Sequence, residues 1–317
     1  MEYVRCNLCG ADDPVERYPS TIEENLGPAD GLAEAMDWSA YACTHSGYGR
    51  HHVVVQCQKC GLVYANPRID QHDILDTYQA VEDPLYLEER EGRVLTFEHH
   101  LKPLDRIAGL PSGRPLLDVG CYTGVFVEIA ARHGWDAWGV EPSRWAVEQA
   151  QACKLHVVQG TLDTADLPEA HFEVVTLWDV IEHLTDPRGA LERVHRLLRS
   201  PEPTARKPGG LVVVHTIDIE SLFARLMGAR WPWLMEMHIY YFSRRTLRAM
   251  LEKCGFQVLS DRPQGRYLRL GYLANRVGAL MPLVGRPAEW FVTKLGLRGV
   301  AVPVNLGDLF TVYARKV

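Results

Sequence analysis

Three groups of residues in this sequence have the types and spacing to do chemistry. Cys6 and Cys9, then Cys57 and Cys60, form two C-x-x-C pairs, each followed by a glycine that permits a tight turn. Asp118-Val119-Gly120-Cys121-Tyr122-Thr123-Gly124 ends one short apolar run, and Glu141 ends the next. Asp179, Glu182 and His183 stand close together further on, with His215 and His238 downstream. In a reducing compartment, paired C-x-x-C units read as metal ligands before disulfides. Four thiolates in tetrahedral array close a zinc site and leave no position for substrate, so Zn2+ there is structural. It would hold together a segment too small for a good core of its own. Cys43, His45, His51 and His52, between the pairs, read as loop residues rather than replacement ligands.

The acid–glycine loop is a ligand cradle. Glycine permits the turn and lets a ligand approach the backbone, while the helix that follows aims unpaired N–H groups at it. In doubly wound folds an acid at the end of the second strand takes a ribose diol, which is the place of Glu141. A dinucleotide fingerprint would read G-x-G-x-x-G, and here Gly120 and Gly124 enclose Tyr122. Asp118 sits where a pyrophosphate would have to be, so it suits a cationic or neutral ligand. A nucleoside-type cofactor is expected over the two strand ends.

This stretch resembles motif I of class I S-adenosylmethionine-dependent methyltransferases, written D/E-x-G-x-G-x-G, with Tyr122 replacing the middle glycine. Glu141-Pro142-Ser143 resembles their motif II. The resemblance implies that Asp118, Gly120 and Gly124 surround the methionine part of S-adenosylmethionine, with Tyr122 packed on it. Glu141 would take the ribose hydroxyls, Pro142 and Ser143 would flank the adenosine, and Trp178 would line the cofactor at the fourth strand's end. Many relatives carry an acid after the third strand to bind the adenine amino group. Here Gly160 is followed by Thr161 and Leu162, so contacts from these serve instead, with Asp163 as a substitute.

Methyl transfer from a sulfonium is an in-line displacement, and positioning can supply on the order of 7–11 kcal/mol. A hydroxyl acceptor also gains from losing its proton, and His183 is the natural base, with His215 as a second acid–base candidate. A divalent ion competes with this. Asp179, Glu182 and His183 form D-x-x-E-H, which resembles the E-x-x-E-H metal motif of ubiquinone-pathway O-methyltransferases and small-RNA 2′-O-methyltransferases. The latter add a downstream histidine, and His238-Ile239-Tyr240-Tyr241-Phe242-Ser243 stands in a comparable place. Such an ion would lower a hydroxyl's pKa, and mixed carboxylate and imidazole ligands would not single out one metal.

Positioning these residues requires an α/β fold in which strands and helices alternate into a parallel sheet. Apolar runs predict strands at 115–119, 136–140, 155–158, 172–177 and 210–215, with helices at about 124–133, 143–152 and 187–199 between them. Further helices are expected near 219–228 and 244–254, then a strand from Phe256 and a last strand over 309–315. The family resemblance implies a Rossmann-like seven-stranded sheet in the order 3-2-1-4-5-7-6, with an N-terminal zinc-ribbon-like module. The domains expected are a zinc module at 1–68, a helical lid at 69–112, a core at 113–261 with 307–317, and a helical cap at 262–306. Tyr78 and Tyr86 are lid candidates, and residues 19–49 read as a helix and loop over the mouth. Residues 262–306 hold seven cations against Glu289 alone and read as an amphipathic helix with a basic face.

At 317 residues the chain can carry one large domain and an appendage. Its 47% hydrophobic and 23% charged content is that of a soluble globular protein. A net charge of −6 argues against a broad nucleic-acid footprint, which needs a basic surface. Residues 1–5 lack the basic start and apolar run of a signal peptide, and no apolar stretch reaches membrane-span length, so a cytoplasmic location is expected. The cysteine pairs, Cys60-Gly61-Leu62-Val63-Tyr64-Ala65-Asn66-Pro67-Arg68 and His238-x-x-x-Phe242-Ser243 also resemble bacterial methyltransferases of natural-product and sugar modification. The chain ends too early for the extra domain of sugar C-methyltransferases, which favours O-methylation of a small-molecule acceptor. An RNA target guided by the zinc module, and a cofactor-binding protein without catalysis, are the other readings. The sequence does not speak to oligomeric state.

Overall fold

The computed structural model describes residues 1–22, 49–80, 82–83, 86–87, 89–205, 207–280 and 282–317. The expected helix and loop over 19–49, including Cys43 and His45, therefore lie mostly outside the described residues. The chain opens with β1 (Pro14–Tyr18), β2 (Val54–Cys57) and β3 (Val63–Ala65), then α1 (Gln71–Ala80) and α2 (Arg90–Ala108). Alternation follows in β4 (Pro115–Val119), α3 (Val125–Arg132), β5 (Asp136–Glu141), α4 (Arg144–Ala152) and β6 (His156–Gln159). It continues through β7 (Val174–Trp178), α5 (Pro187–Leu197), β8 (Leu211–Ile217), α6 (Leu222–Met227), β9 (Tyr240–Tyr241), α7 (Arg244–Lys253) and β10 (Phe256–Pro263). The chain closes with β11 (Arg266–Arg269), α8 (Leu270–Leu280), α9 (Pro282–Lys294), β12 (Ala301–Val304) and β13 (Leu309–Lys316).

The seven-stranded sheet runs β6-β5-β4-β7-β8-β13-β10. Five strands are parallel, and β13 lies antiparallel between β8 and β10. Numbered in chain order within the sheet, this is 3-2-1-4-5-7-6, as the resemblance implied. Parallel strands covered on both faces read as continuous apolar runs, and β7 and β8 are buried at every residue. Capping side chains set the starts of the flanking helices. Ser143 accepts from Ala146 N–H at α4, Asp186 from Gly189 N–H at α5, and Ser243 forms a capping box with Thr246 at α7.

The N-terminal strands form a second sheet, β1-β2-β3-β9, whose last member comes from far down the chain, after β8. The stretch from 262 onward departs from a single amphipathic helix. Alternating residues let Arg266–Arg269 pair antiparallel with Ala301–Val304, and α8 and α9 pack on each other between them. Two of its cations are also directed inward, Arg266 to Asp179 and Arg269 to Glu89. Among the described residues, no helix is long and apolar enough to cross a membrane.

Candidate active site

A cavity of about 820 Å³ lies beyond the carboxyl ends of the parallel strands, the place where open α/β sheets bind ligands. One wall is built by the β4–α3 turn and the end of β5. Gly120 has φ +64, and a Cβ there would lie 2.7 Å from Val180 Cγ2, so neither the turn nor the packing admits a side chain. Glu141 is buried, and its two oxygens accept the N–H groups of Tyr122 and Ser143, each at 2.9 Å. Asp118 accepts a hydrogen bond from Thr176 Oγ1 at 2.7 Å. Burial pushes the Asp118 carboxyl up to about 8, with the Glu141 charge adding to the rise against the Thr176 bond. Burial likewise pushes Glu141 up to about 7 against its two backbone bonds. Two buried acids of raised pKa at one wall fit a cationic ligand with a diol.

Pro142 and Ser143 line this wall beside Glu141, and Thr161, Leu162 and Asp163 line it from the loop after β6. Tyr122 meets Tyr86 edge-on at 4.3 Å between ring centroids, so one of the two lid candidates touches the glycine loop. Tyr78 meets His183 at 6.2 Å. Gly124, in the same turn, is not among the residues that line the cavity. Its φ is +75, and a Cβ would lie 2.6 Å from Leu155 Cδ1, so its lack of a side chain serves the turn and the packing of α3.

The opposite wall gathers the candidate catalytic residues. One possible ligand atom from each of Glu182, His183 and His238 lies within 4.8 Å of the other two. His183 Nδ1 is 2.9 Å from Met237 O, and His238 Nδ1 is 2.7 Å from Trp233 O. A carbonyl can only accept, so each Nδ1 carries the proton and each Nε2 keeps its lone pair. Burial lowers both histidines, His238 to about 3, and keeps them neutral. Burial and then the Asp179 charge push Glu182 up to about 8, and its Oε2 is buried without a hydrogen-bond partner.

Asp179 stands apart from that trio. It has φ +55 at the end of β7, and its Oδ1 takes Arg266 Nη2 at 2.7 Å and lies 3.6 Å from His215 Nε2. Burial raises its carboxyl, but Arg266 and then His215 outweigh this and hold it below the usual range. His215 holds Thr311 Oγ1 through Nδ1 at 2.8 Å, and burial lowers it to about 4. Trp178 lies between these residues and the donor wall, its ring 5.0 Å from His100 and 5.2 Å from Phe126. Arg266, His100, Trp233 and Asp308 also line the cavity and were not among the expected site residues. A helical position three or four residues from Thr96 and Phe97 was the signal available for His100; the others have no local signal.

At the N-terminus, Cys6 and Cys60 Sγ are 3.4 Å apart, Cys9 and Cys57 Sγ 3.6 Å apart, and all four sulfurs lie within 4.8 Å of one another. Burial raises the Cys6 thiol and pushes Cys60 up to about 11, while at Cys57 burial is outweighed by hydrogen bonds from Cys60 and Cys9 that lower it; four thiolates this close would repel one another without a cation between them.

Residues 86–261 match a family model described as a methyltransferase domain. The ubiquinone biosynthesis O-methyltransferase of Bradyrhizobium sp. (strain ORS 278) is 33% identical over 158 residues, 46% of this chain and 56% of that protein. The protein of the same name from Proteus mirabilis (strain HI4320) is 29% identical over 189 residues, 55% of this chain and 71% of that one. Among solved structures, phosphoethanolamine N-methyltransferase 2 of Haemonchus contortus, in complex with S-adenosyl-L-methionine, aligns at 16% identity and a TM-score of 0.47, over 80% of this chain and 61% of that one. The chain matches little more than half the length of the Bradyrhizobium protein. The family model spans more than half of this chain, over the strands that build both walls of the cavity, and the chain belongs to the class I S-adenosylmethionine-dependent methyltransferases.

Proposed function

We propose that this chain transfers a methyl group from S-adenosylmethionine to a hydroxyl of a small molecule, with natural-product, sugar or secondary metabolism as its setting. The observation that carries the reading is the pair of neutral imidazoles, His183 and His238, beside Glu182 in the same cavity as the paired acids Asp118 and Glu141. When bound, the donor supplies an electrophilic methyl on a sulfonium. Glu141 would hold the ribose hydroxyls, Asp118 would face the cationic methionine end, and Thr161 and Leu162 would border the adenine. His183 Nε2 has the free lone pair to receive the acceptor's proton, which leaves an alkoxide or phenolate aligned for attack. The relatives named for ubiquinone biosynthesis support hydroxyl methylation.

A second reading has a specific observation in its favour. Each imidazole is held through Nδ1 by a backbone carbonyl, which leaves the lone pair on Nε2, the arrangement of metal-binding histidines. Glu182 Oε2 is also buried without a partner. Glu182, His183 and His238 therefore fit a divalent ion, which would lower the pKa of a hydroxyl brought to it. Asp179 is not part of this set, because Arg266 holds it. Cys6, Cys9, Cys57 and Cys60 fit a structural Zn2+. Residues 1–68 would then be the zinc module, 69–112 the lid, 113–261 with 307–317 the core, and 262–306 the cap.

The test is incubation with S-adenosylmethionine and a panel of phenols, catechols and hydroxylated sugars, followed by mass spectrometry. A gain of one methylene on a hydroxyl is the expected result. Methylation confined to nitrogen or carbon acceptors would overturn the reading. Turnover with and without added Mg2+ or Mn2+ separates the base from the ion, because a base needs neither.

A further inference from the structure

The stretches carrying Glu182, His183 and His238 are tied to the cysteine module, whereas the donor wall is tied to itself. Ile239 donates its N–H to Glu182 O at 2.9 Å, and Ala65 donates to Ile239 O at 2.8 Å, so one backbone relay joins both stretches to β3. β9 continues that sheet, with Tyr64 opposite Tyr240 and their rings stacked 6.1 Å apart. β2 ends at Cys57 and β3 starts just after Cys60. The geometry of these strands therefore follows that of the second cysteine pair.

Two side chains reach the loop just after His183. Asn7, between Cys6 and Cys9, donates Nδ2–H to Asp186 Oδ1 at 2.8 Å and accepts the N–H of Arg188 at 2.9 Å. Arg68 donates Nη1–H to Thr185 O at 2.8 Å and lies 3.3 Å from Tyr240 Oη, while its Nε is held by Glu2. From the other side, Lys253 Nζ donates to Leu8 O at 2.7 Å and Arg245 Nη1 to Cys60 O at 3.2 Å. The bonds that hold the donor wall's two acids, Asp118 to Thr176 and Glu141 to Tyr122 and Ser143, stay within residues 118–176, and the bond that reaches the wall from α5, Arg193 Nε to Leu162 O at 3.3 Å, touches neither acid.

We propose that the four-cysteine cluster, with Zn2+ bound, is the clamp that positions the acceptor half of the active site and leaves the donor half independent. Both cysteine pairs sit on tight turns next to short strands, so closing all four thiolates on one ion adds the free energy of metal binding to the ordering of these turns. Once ordered, the segment fixes the 182–188 loop through Asn7 and Arg68 and fixes residues 237–241 through β3. Asn7 and Arg68 are then positioning residues for the transfer. The inference rests on reading Glu182, His183 and His238 as the transfer centre.

The test compares the full-length zinc-loaded protein, the same protein stripped by chelation, and the variants Asn7→Ala and Arg68→Gln, which keep all four cysteines. Amide exchange is followed by segment, with S-adenosylhomocysteine affinity by calorimetry, zinc content, and kcat for an acceptor. Stripping should speed exchange in 182–188 and 237–241 by about tenfold or more, with smaller effects in the two variants. Exchange in 118–124 and 141–143 and the S-adenosylhomocysteine affinity should stay within about twofold. Restoring Zn2+ alone should reverse the change. Unchanged exchange in 182–188 and 237–241 after zinc loss overturns the clamp. So does a parallel loosening of the donor segments, which would make the cluster a support for the whole fold. Loosened acceptor segments with an undiminished kcat leave the clamp standing and sink the assignment of the transfer centre.

Discussion

The rings of His183 and His238 lie with centroids 4.8 Å apart and planes tilted by 59°, and each is anchored through Nδ1 to a main-chain carbonyl. The backbone therefore selects the tautomer of both, and burial keeps both neutral. Both imidazoles bring a ring nitrogen within 4.8 Å of a Glu182 carboxyl oxygen.

His183→Ala and His238→Ala should each lower kcat by about 10²-fold or more, the range of a lost acid–base group. Affinity for S-adenosylhomocysteine should stay near that of the unmodified protein, because the donor wall is built from other elements. Steady-state kinetics paired with calorimetry reads both. Loss of donor binding in step with kcat would show that the two walls are one site.

Glu141→Gln keeps the shape but removes the charge and turns one acceptor into a donor, facing the N–H groups of Tyr122 and Ser143. Hydrogen bonds to charged groups contribute about 1.5–3 kcal/mol each, so affinity should fall roughly 10- to 100-fold. S-adenosylmethionine and S-adenosylhomocysteine should lose affinity equally, since the ribose is common to both. Equal binding by variant and unmodified protein refutes the ribose contact.

The order of the sheet was legible because its causes are local. Apolar runs alternating with amphipathic stretches force a parallel sheet, and Ser143, Asp186 and Ser243 cap helices within a residue or two of their expected starts. The antiparallel last strand came from the family resemblance, since residues 309–316 differ in no periodic feature from their parallel neighbours. What stayed hidden depends on partners far apart in the chain. Arg266 reads as one more cation of a basic stretch until β11 lays it against Asp179, 87 residues away. Asn7 reads as a spacer between cysteines until it meets Asp186. Gly124 carries the same signal as Gly120, since residue type reveals a permitted turn and not what packs against it, Leu155 in one case and Val180 in the other.

The raised carboxyls of Asp118 and Glu141 fix the sign of a pH effect. Unfolded, such groups titrate near 4, whereas here they titrate at about 8 and about 7. Between those limits the folded protein binds more protons than the unfolded chain, so the ligand-free protein loses stability as pH rises. The loss is at most about 1.4 kcal/mol per pH unit for each group and levels off above about pH 8. Thermal melts from pH 5 to about 8.5 should fall accordingly, and Asp118→Asn should flatten the slope. Binding of the cationic donor favours the charged forms, so it should release protons near pH 7. Calorimetry in two buffers of different ionisation enthalpy counts them, and zero release would contradict the shifts.

Arg266 and Asp179 join the 262–306 stretch to the end of β7 across the cavity, Nη2 to Oδ1 at 2.7 Å, with the guanidinium 5.2 Å over the Trp233 ring. Arg266→Met would leave the Asp179 carboxylate facing His215, which burial keeps neutral, so an uncompensated charge would sit in the site. Acceptor kcat/KM should fall about tenfold or more, while S-adenosylhomocysteine affinity stays within about twofold, since neither residue shapes the β4–α3 turn. Adding Asp179→Asn to Arg266→Met removes the orphaned charge along with its partner. The double variant should therefore be more active than Arg266→Met alone, because breaking a pair costs more than deleting it. Steady-state kinetics on the two single variants and the double closes the cycle. Additive losses would mean that the two side chains act separately and that the stretch is held over the cavity by other contacts.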